Sequence, residues 1–332
     1  MSTVVVIGGG VIGCAVADRL IRSGHKVTLL ERDHLGAHAS GRAAGILAPR
    51  SELPHEDLAH RSGDLFPELV DRLEKDTGIA LEYLSSESLT LAFDEKEAAA
   101  LRKLDGRQLD GAACRKLEPA LSPEVVAGAL FEHAHITPLR LVEALARSAM
   151  MAGSAIREGT PVSSIEESGV RVVGERINAD RVVLAAGPWS AGLAESAGVE
   201  LDVWPLRGQL VALRPVRALL TRIVSWRKFY AVSKPDGTVI VGSTEEQSGF
   251  DARPTAEGVE KMLNIAQLML PALNEATLER AWAALRPATK DGLPIIGPAS
   301  GRPNLILATG HNRTGILLAP ITAEMVAQAV SR

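Results

Sequence analysis

Cysteine is nearly missing from this 332-residue chain: Cys14 and Cys114 are the only two, and they lie far apart. There is no C-x-x-C and no Cys/His cluster, which excludes a disulfide framework and a structural zinc site. The absence of cysteine pairs fits a reducing, cytoplasmic setting. Aromatic residues are scarce, and Tyr83 and Tyr230 are the only tyrosines, so a pocket that needs a phenol has two candidates. No run of about 18 apolar residues occurs, so no transmembrane helix and no membrane partner are expected. The apolar start, residues 4–12, has no basic leader and is broken by three glycines, so it does not read as a signal peptide. Neither charge sign dominates: 36 basic against 40 acidic residues leave a net charge of −4, which gives no basis for nucleic-acid binding or attraction to an anionic membrane.

What is present is an ordinary globular balance, with 46% hydrophobic residues in a chain long enough for one large domain or two intimate ones. The beginning reads strand, glycine turn, helix, strand: a continuous apolar strand over 3–7, a helix over 11–23 stopped by Gly24, and a second strand over 26–30 ending at Glu31. Continuous apolar strands separated by helices imply a parallel sheet covered on both faces. The middle differs. Residues 88–93, 209–214, 228–233 and 238–243 read as shorter strands, with Lys234-Pro235-Asp236-Gly237 as the turn of a hairpin and 255–269 as a helix packed on them. Parallel-sheet character returns at 181–186, before Gly187-Pro188, and at 304–308, before Gly310 and a helix over 315–331. The dinucleotide-binding part is therefore expected to be discontinuous, with an antiparallel domain inserted between its pieces.

Gly8-Gly9-Gly10-Val11-Ile12-Gly13 fits G-x-G-x-x-G between the first strand and the first helix. Glycine there serves the tight turn, the approach of a pyrophosphate and helix–strand packing, and the helix start offers N–H groups and a positive dipole end. Glu31 stands 18 residues beyond Gly13, where a carboxylate can take ribose hydroxyls; an acid there disfavours the 2′-phosphate of NADP. The motif alone does not separate NAD from FAD. Three further stretches favour FAD: the small-residue run 40–49, with Ala43, Ala44, Gly45 and Leu47; the strand and glycine turn 182–189, with Ala186, Gly187 and Trp189; and the glycine-rich turn 308–320, with Gly310, His311, Asn312, Arg313, Thr314, Gly315 and Ile316. Small residues let backbone pass close to a flat ring, and a helix N-terminus stabilises negative charge that develops on its pyrimidine edge.

These residues carry a resemblance. Together with Trp282-Ala283-Ala284-Leu285-Arg286-Pro287-Ala288-Thr289-Lys290-Asp291-Gly292-Leu293-Pro294-Ile295-Ile296-Gly297, they make the chain similar to the D-amino acid oxidase superfamily of flavoenzymes, and to its glycine oxidase branch associated with thiamine biosynthesis. The likeness covers nearly the whole chain. It implies an α/β fold: a discontinuous Rossmann-type FAD-binding domain (1–80, 139–200 and 284–332) and an inserted antiparallel-sheet α+β substrate domain (81–138 and 201–283). It implies FAD contacts from the stretches above, from Gly8, Gly10, Val11, Ile12, Gly13, Glu31 and Arg32, and from Pro161 and Val162. It also implies relatives that are often oligomeric, although no sequence patch marks an interface. Covalent attachment in some relatives uses a cysteine in the late segments; Cys14 and Cys114 lie elsewhere, so FAD is expected to be non-covalent.

The same resemblance makes Arg286 the guanidinium that grips the substrate carboxylate, a geometry lysine does not reproduce. It makes Tyr230 a hydroxyl donor to that carboxylate and places Arg313 beside the flavin ring or pocket. A structural ion pair, a strand tyrosine and a solvated loop arginine are the ordinary alternatives for these three. His311 is read as structural, because hydride can pass from a neutral amine to flavin N5 with no general base. The expected reaction takes a small amino acid and oxygen to an imino acid, then an oxo acid, ammonia and hydrogen peroxide. Three positions depart from the family's pattern. Lys228, two residues before Tyr230 and on the same strand face, replaces an expected histidine; Glu245 replaces an expected apolar residue; Arg50 adds another charge. They read as rim charges, or as Arg50 or Lys228 extending specificity toward a larger or acidic amino acid. The competing readings are a dehydrogenase with a non-oxygen acceptor, a non-catalytic or tRNA-modifying FAD protein, and an NAD dehydrogenase.

Overall fold

A computed structural model describes residues 1–49 and 55–332. Arg50 lies outside the described residues. The chain divides into two compact units: Met1–Tyr83, Ile136–Leu206 and Leu285–Arg332 form the first, and Leu84–His135 and Arg207–Ala284 the second.

The first unit is built on a six-stranded sheet in the order Ile295–Ala299, Arg302–Thr309, Arg181–Leu184, Thr3–Ile7, Lys26–Leu30, Ala155–Arg157. All neighbours are parallel except the first pair, an antiparallel edge hairpin. The strands are apolar along their length because both faces are covered. On one face Val5, Ile7, Val182, Leu184, Leu305 and Leu307 meet Ile165, Val170 and Val172. The latter come from a small sheet of Val162–Glu166, Gly169–Val172 and Glu175–Asn178, which sequence periodicity did not reveal. On the Val6 side lies the helix Val11–Arg22, with Pro138–Met151 and Gly315–Val330 packed against it. Helix Val11–Arg22 ends at Ser23, after which Gly24 adopts φ +84° and donates its N–H to the Ile21 carbonyl. A buried charge within this helical layer is fully compensated. Asp18 accepts from Arg22 Nε at 3.0 Å, Arg72 Nη2 at 2.6 Å and Ser148 Oγ at 2.5 Å, tying three helices together.

The second unit is a largely antiparallel sheet in the order Thr277–Ala288, Trp204–Arg214, Val239–Gly242, Phe229–Ser233, Ile223–Trp226, Leu84–Ala92, Ala127–His135, with Arg107–Asp110 also paired to the last. Thr277–Ala288 begins in this unit and ends in the first. One face is apolar: Leu89, Leu130, Val211, Val224, Ala231 and Val241 pack with Met262, Ile265 and Met269 of the helix Ala256–Met269. Thr255 caps that helix, its hydroxyl accepting from Gly258 N–H at 3.1 Å. The Lys234–Gly237 turn forms as expected, with Gly237 at φ +84° donating to the Lys234 carbonyl. One expectation is corrected. Lys228 is not a strand residue on the face of Tyr230. Trp226 pairs with Phe229, so Arg227 and Lys228 form the two-residue turn between them, with Arg227 at φ +53°, and strand alternation does not reach Lys228.

Candidate active site

The glycine turn of the first unit is shaped by what glycine lacks. A Cβ on Gly13 would collide with the Gly8 carbonyl oxygen, and one on Gly8, which sits at φ +110°, would collide with the carbonyl of Ala185. Strand, turn and helix can close on one another only without side chains at these points. Glu31 then secures the turn: Oε2 accepts the Gly9 N–H at 2.6 Å and Oε1 the Asp33 N–H at 2.8 Å. The carboxylate is buried at 8% exposure, and its remaining lone pairs suit the ribose hydroxyls expected of it. Ser40, within the small-residue run, accepts the Val11 N–H at its Oγ at 2.9 Å. The chain from Arg157 to Thr160 follows Glu31 through two backbone bonds, setting Pro161 and Val162 just beyond.

Beside this turn Trp189 gathers two partners that the sequence did not connect. The Arg32 guanidinium lies over its ring at 4.3 Å, and the His38 ring lies 4.6 Å away. Asp33 joins them, accepting from Arg32 Nε at 3.0 Å and lying 2.7 Å from His38 Nε2; these contacts hold the Asp33 carboxyl below the usual carboxylate range. Glu31, Asp33 and His38 are close enough to hold a cation, but their ligand atoms already serve backbone N–H groups and Arg32.

In the small-residue run, Ala43 is half-buried, Ala44 and Leu47 are buried, and Gly45 sits at φ +80°, where a Cβ would also strike the Ile136 carbonyl. At the third stretch, Gly310 turns at φ +78°, where a Cβ would press within 2.7 Å of Thr289. Asn312 follows at φ +45°, its N–H donating to the Pro287 carbonyl at 2.9 Å. Among the described residues, its side-chain Oδ1 is buried without a hydrogen-bond partner, an acceptor suited to a ring N–H of a bound group. His311 is buried, 3.0 Å from Thr322 Oγ1, and burial pushes its pKa down to about 3. It is therefore neutral, and it makes a poor general base at neutral pH. Thr314 precedes the helix that opens at Gly315 and Ile316, and His55 Nε2 lies 3.0 Å from its hydroxyl. Arg313 is exposed on this turn, Arg286 is half-buried in Thr277–Ala288, and Gly187 and Ala186 close the Arg181–Leu184 strand.

The second unit holds Tyr230. Its register forms a row across the sheet: Leu210 opposite Gly242, Gly242 opposite Tyr230, Tyr230 opposite Ser225, and Ser225 opposite Thr90. The row is polar at its centre, with Thr90 Oγ1 and Ser225 Oγ 2.9 Å apart and buried. One step along, Ser88 Oγ meets His133 Nδ1 at 2.6 Å. Gly242 gives the phenol its space: a Cβ there would stand 2.7 Å from the Tyr230 hydroxyl. No sequence pattern pointed to Gly242, because its role exists only across the register. Lys228 and Glu245, flagged separately as departures, meet as an ion pair at 3.0 Å.

A parallel sheet entered through a side-chain-free turn, a carboxylate at the end of its second strand and an orphaned acceptor on the last turn define a dinucleotide-binding protein, and these features fit FAD. The chain belongs to the FAD dependent oxidoreductase family, whose model matches residues 3–329. It is 36% identical to glycine oxidase of Pseudomonas aeruginosa, covering 99% of this chain and 94% of that protein. It is 35% identical to the bifunctional protein ThiO/ThiG of a Nostoc species, over 98% of this chain and 52% of that protein. The crystal structure of glycine oxidase from Geobacillus kaustophilus superposes with a TM-score of 0.95 at 32% identity, covering 100% of this chain and 95% of that one. The protein is thus an FAD-dependent oxidoreductase of the amino acid oxidase class with the expected α/β fold, and among its described residues no helix is long and apolar enough to cross a membrane.

Proposed function

We propose that the protein oxidatively deaminates glycine or a close relative such as sarcosine, D-alanine or D-proline, in a reducing compartment such as the cytoplasm, and that its product serves thiamine biosynthesis. The observation that carries this reading is Tyr230 seated over Gly242 in a polar row, in a chain that matches proteins named glycine oxidase over nearly its full length. FAD would be held by Gly8, Gly10, Val11, Ile12, Gly13 and Glu31 at the diphosphate and ribose end. Arg32, Pro161, Val162, Ala186, Gly187 and Trp189 would flank it, and Ala43, Ala44, Gly45, Leu47, Gly310, His311, Asn312, Arg313, Thr314, Gly315 and Ile316 would line its ring. When bound, it supplies the two-electron acceptor that takes hydride from the Cα–H bond and returns the electrons to oxygen as peroxide.

The chain's own part is positioning. Arg286 grips the substrate carboxylate with two parallel N–H donors, and Tyr230 donates its hydroxyl to the same group, so the α-hydrogen has one orientation. The amine enters neutral, and no side chain has to remove a proton before oxidation. Water then hydrolyses the imino acid to the oxo acid and ammonia. We read FAD as non-covalent, because both thiols are buried and burial raises the pKa of each, that of Cys114 to about 11.

Anaerobic addition of glycine, sarcosine, D-alanine or D-proline should bleach the flavin absorbance. A yellow protein bleached by none of them defeats the reading. Oxygen uptake during turnover distinguishes an oxidase from a dehydrogenase that needs another acceptor.

A further inference from the structure

Glu245 occupies a stretch of chain that is held with unusual firmness. Its neighbour Glu246 forms a two-way backbone bridge with Arg207, at 2.9 and 3.0 Å. The Glu246 carboxylate takes Arg207 Nε at 2.7 Å and Nη2 at 2.6 Å, and Gln209 Nε2 at 2.9 Å. Arg207 is itself buried, 9% exposed. Glu246 is thereby fixed toward Arg207, and Glu245 reaches Lys228, in the turn immediately before the strand of Tyr230. Gly242, over which the Tyr230 hydroxyl sits, is three residues earlier. The ion pair and the phenol therefore occupy one end of the same hairpin. With side chains 40% and 28% exposed, the pair is neither a buried core bridge nor a loose surface contact.

Resting on the reading of Tyr230 as the carboxylate donor, we propose that the Lys228–Glu245 pair determines substrate specificity: it excludes substrates with bulky apolar substituents and so confines turnover to the smallest amino acids. A lysine matched to a glutamate carries no net charge, so it does not attract an anionic or cationic substituent at a distance. It does remain strongly hydrated. An apolar substituent pressed against it would strip water from both charges and return no hydrogen bond, a cost that rises with the size of the substituent. Glycine, with no side chain, avoids that cost.

The test compares kcat/KM ratios in FAD-loaded enzyme. In the double variant Lys228→Met/Glu245→Leu, the ratio of D-leucine to glycine should rise by about tenfold or more, the discrimination a single hydrophobic contact surface supplies. In the single variant Glu245→Gln the carboxylate facing Lys228 is neutralised. The ratio of D-aspartate, whose second carboxylate stands on the Cα substituent, to glycine should then rise, and the gain should shrink as salt increases. Should the double variant fail to fold, the near-isosteric Lys228→Gln/Glu245→Gln, which removes both charges and keeps both side chains polar, should move the D-leucine to glycine ratio in the same direction, and an unchanged ratio there decides against the inference. Ratios that stay at wild-type values in yellow, active variants overturn the inference alone. A wild-type enzyme that bleaches with no amino acid overturns the amino acid reading, and the inference with it.

Discussion

The two units build their candidate sites by opposite means. In the first, the glycine turn is a surface of backbone: Gly8 and Gly13 admit no Cβ, and the carboxylate of Glu31 binds main-chain N–H groups on both sides of it. In the second, the Tyr230 row is a surface of side chains laid on a regular sheet, where Thr90, Ser225 and Tyr230 could each be exchanged without touching the ladder. A backbone surface tolerates almost no substitution and serves one invariant group. A side-chain surface can change its chemistry while its strands stay in place.

The contrast sets an order of effects. Gly13→Leu drives a side chain into the Gly8 carbonyl, and no rotamer relieves a collision at Cβ. Loss of bound flavin, read from visible absorbance, should be essentially complete; a yellow variant would show the turn to be softer than its geometry. Arg286→Ala removes the proposed bidentate partner of the substrate carboxylate. It should lower kcat/KM by about 100-fold or more, mostly through KM, with flavin content intact. An unchanged KM removes the anchor role from Arg286. Gly242→Ala forces the Tyr230 hydroxyl off its seat without changing the tyrosine. It should reproduce the loss caused by Tyr230→Phe, about tenfold in kcat/KM for one neutral-to-charged hydrogen bond. If only one of the two variants loses activity, the phenol acts without Gly242.

The effect that counts least under working conditions belongs to the first unit, because it vanishes at neutral pH. Burial lowers the pKa of His311 to about 3 from its ordinary value of 6.5. The neutral ring is therefore the native form, and its contribution is fully present above about pH 6.5. As pH falls toward 3 the unfolded chain takes up the proton first, and stability should drop by about 1.4 kcal/mol per pH unit from this group. His135, lowered to about 4 by burial and Lys234, acts in the same direction. Urea unfolding at stepped pH should give a flatter slope for His311→Asn than for the wild type. Equal slopes would assign the acid loss to other groups.

How much of this the sequence showed follows the same division. The glycine turn and Glu31 were legible because glycine is the only residue that satisfies a close carbonyl, so the constraint appears as letters at fixed spacing. The parallel strands were legible because burial on both faces makes them continuously apolar. The partners of Tyr230 were not. Gly242, Ser225 and Thr90 are each unremarkable in sequence, and only strand register places them in one row. Lys228 and Glu245 could be flagged as odd one at a time, but 17 residues separate them and nothing in the spelling joins them. Lys228 was also assigned to a strand it does not enter, because a two-residue turn without glycine gives little local signal. The strand Ala127–His135 and the three-stranded sheet went unseen for a related reason: their residues alternate too irregularly for a period of two.

Glu31 grips Gly9 and Asp33 with both its oxygens, so the cradle is assembled by the chain itself. Stripped of its flavin, the protein should keep a ready-made seat for the diphosphate, which makes it a host for exchange. Analogues altered only at the isoalloxazine ring should load as readily as FAD, and the enzyme's colour and redox behaviour could be changed without touching its sequence.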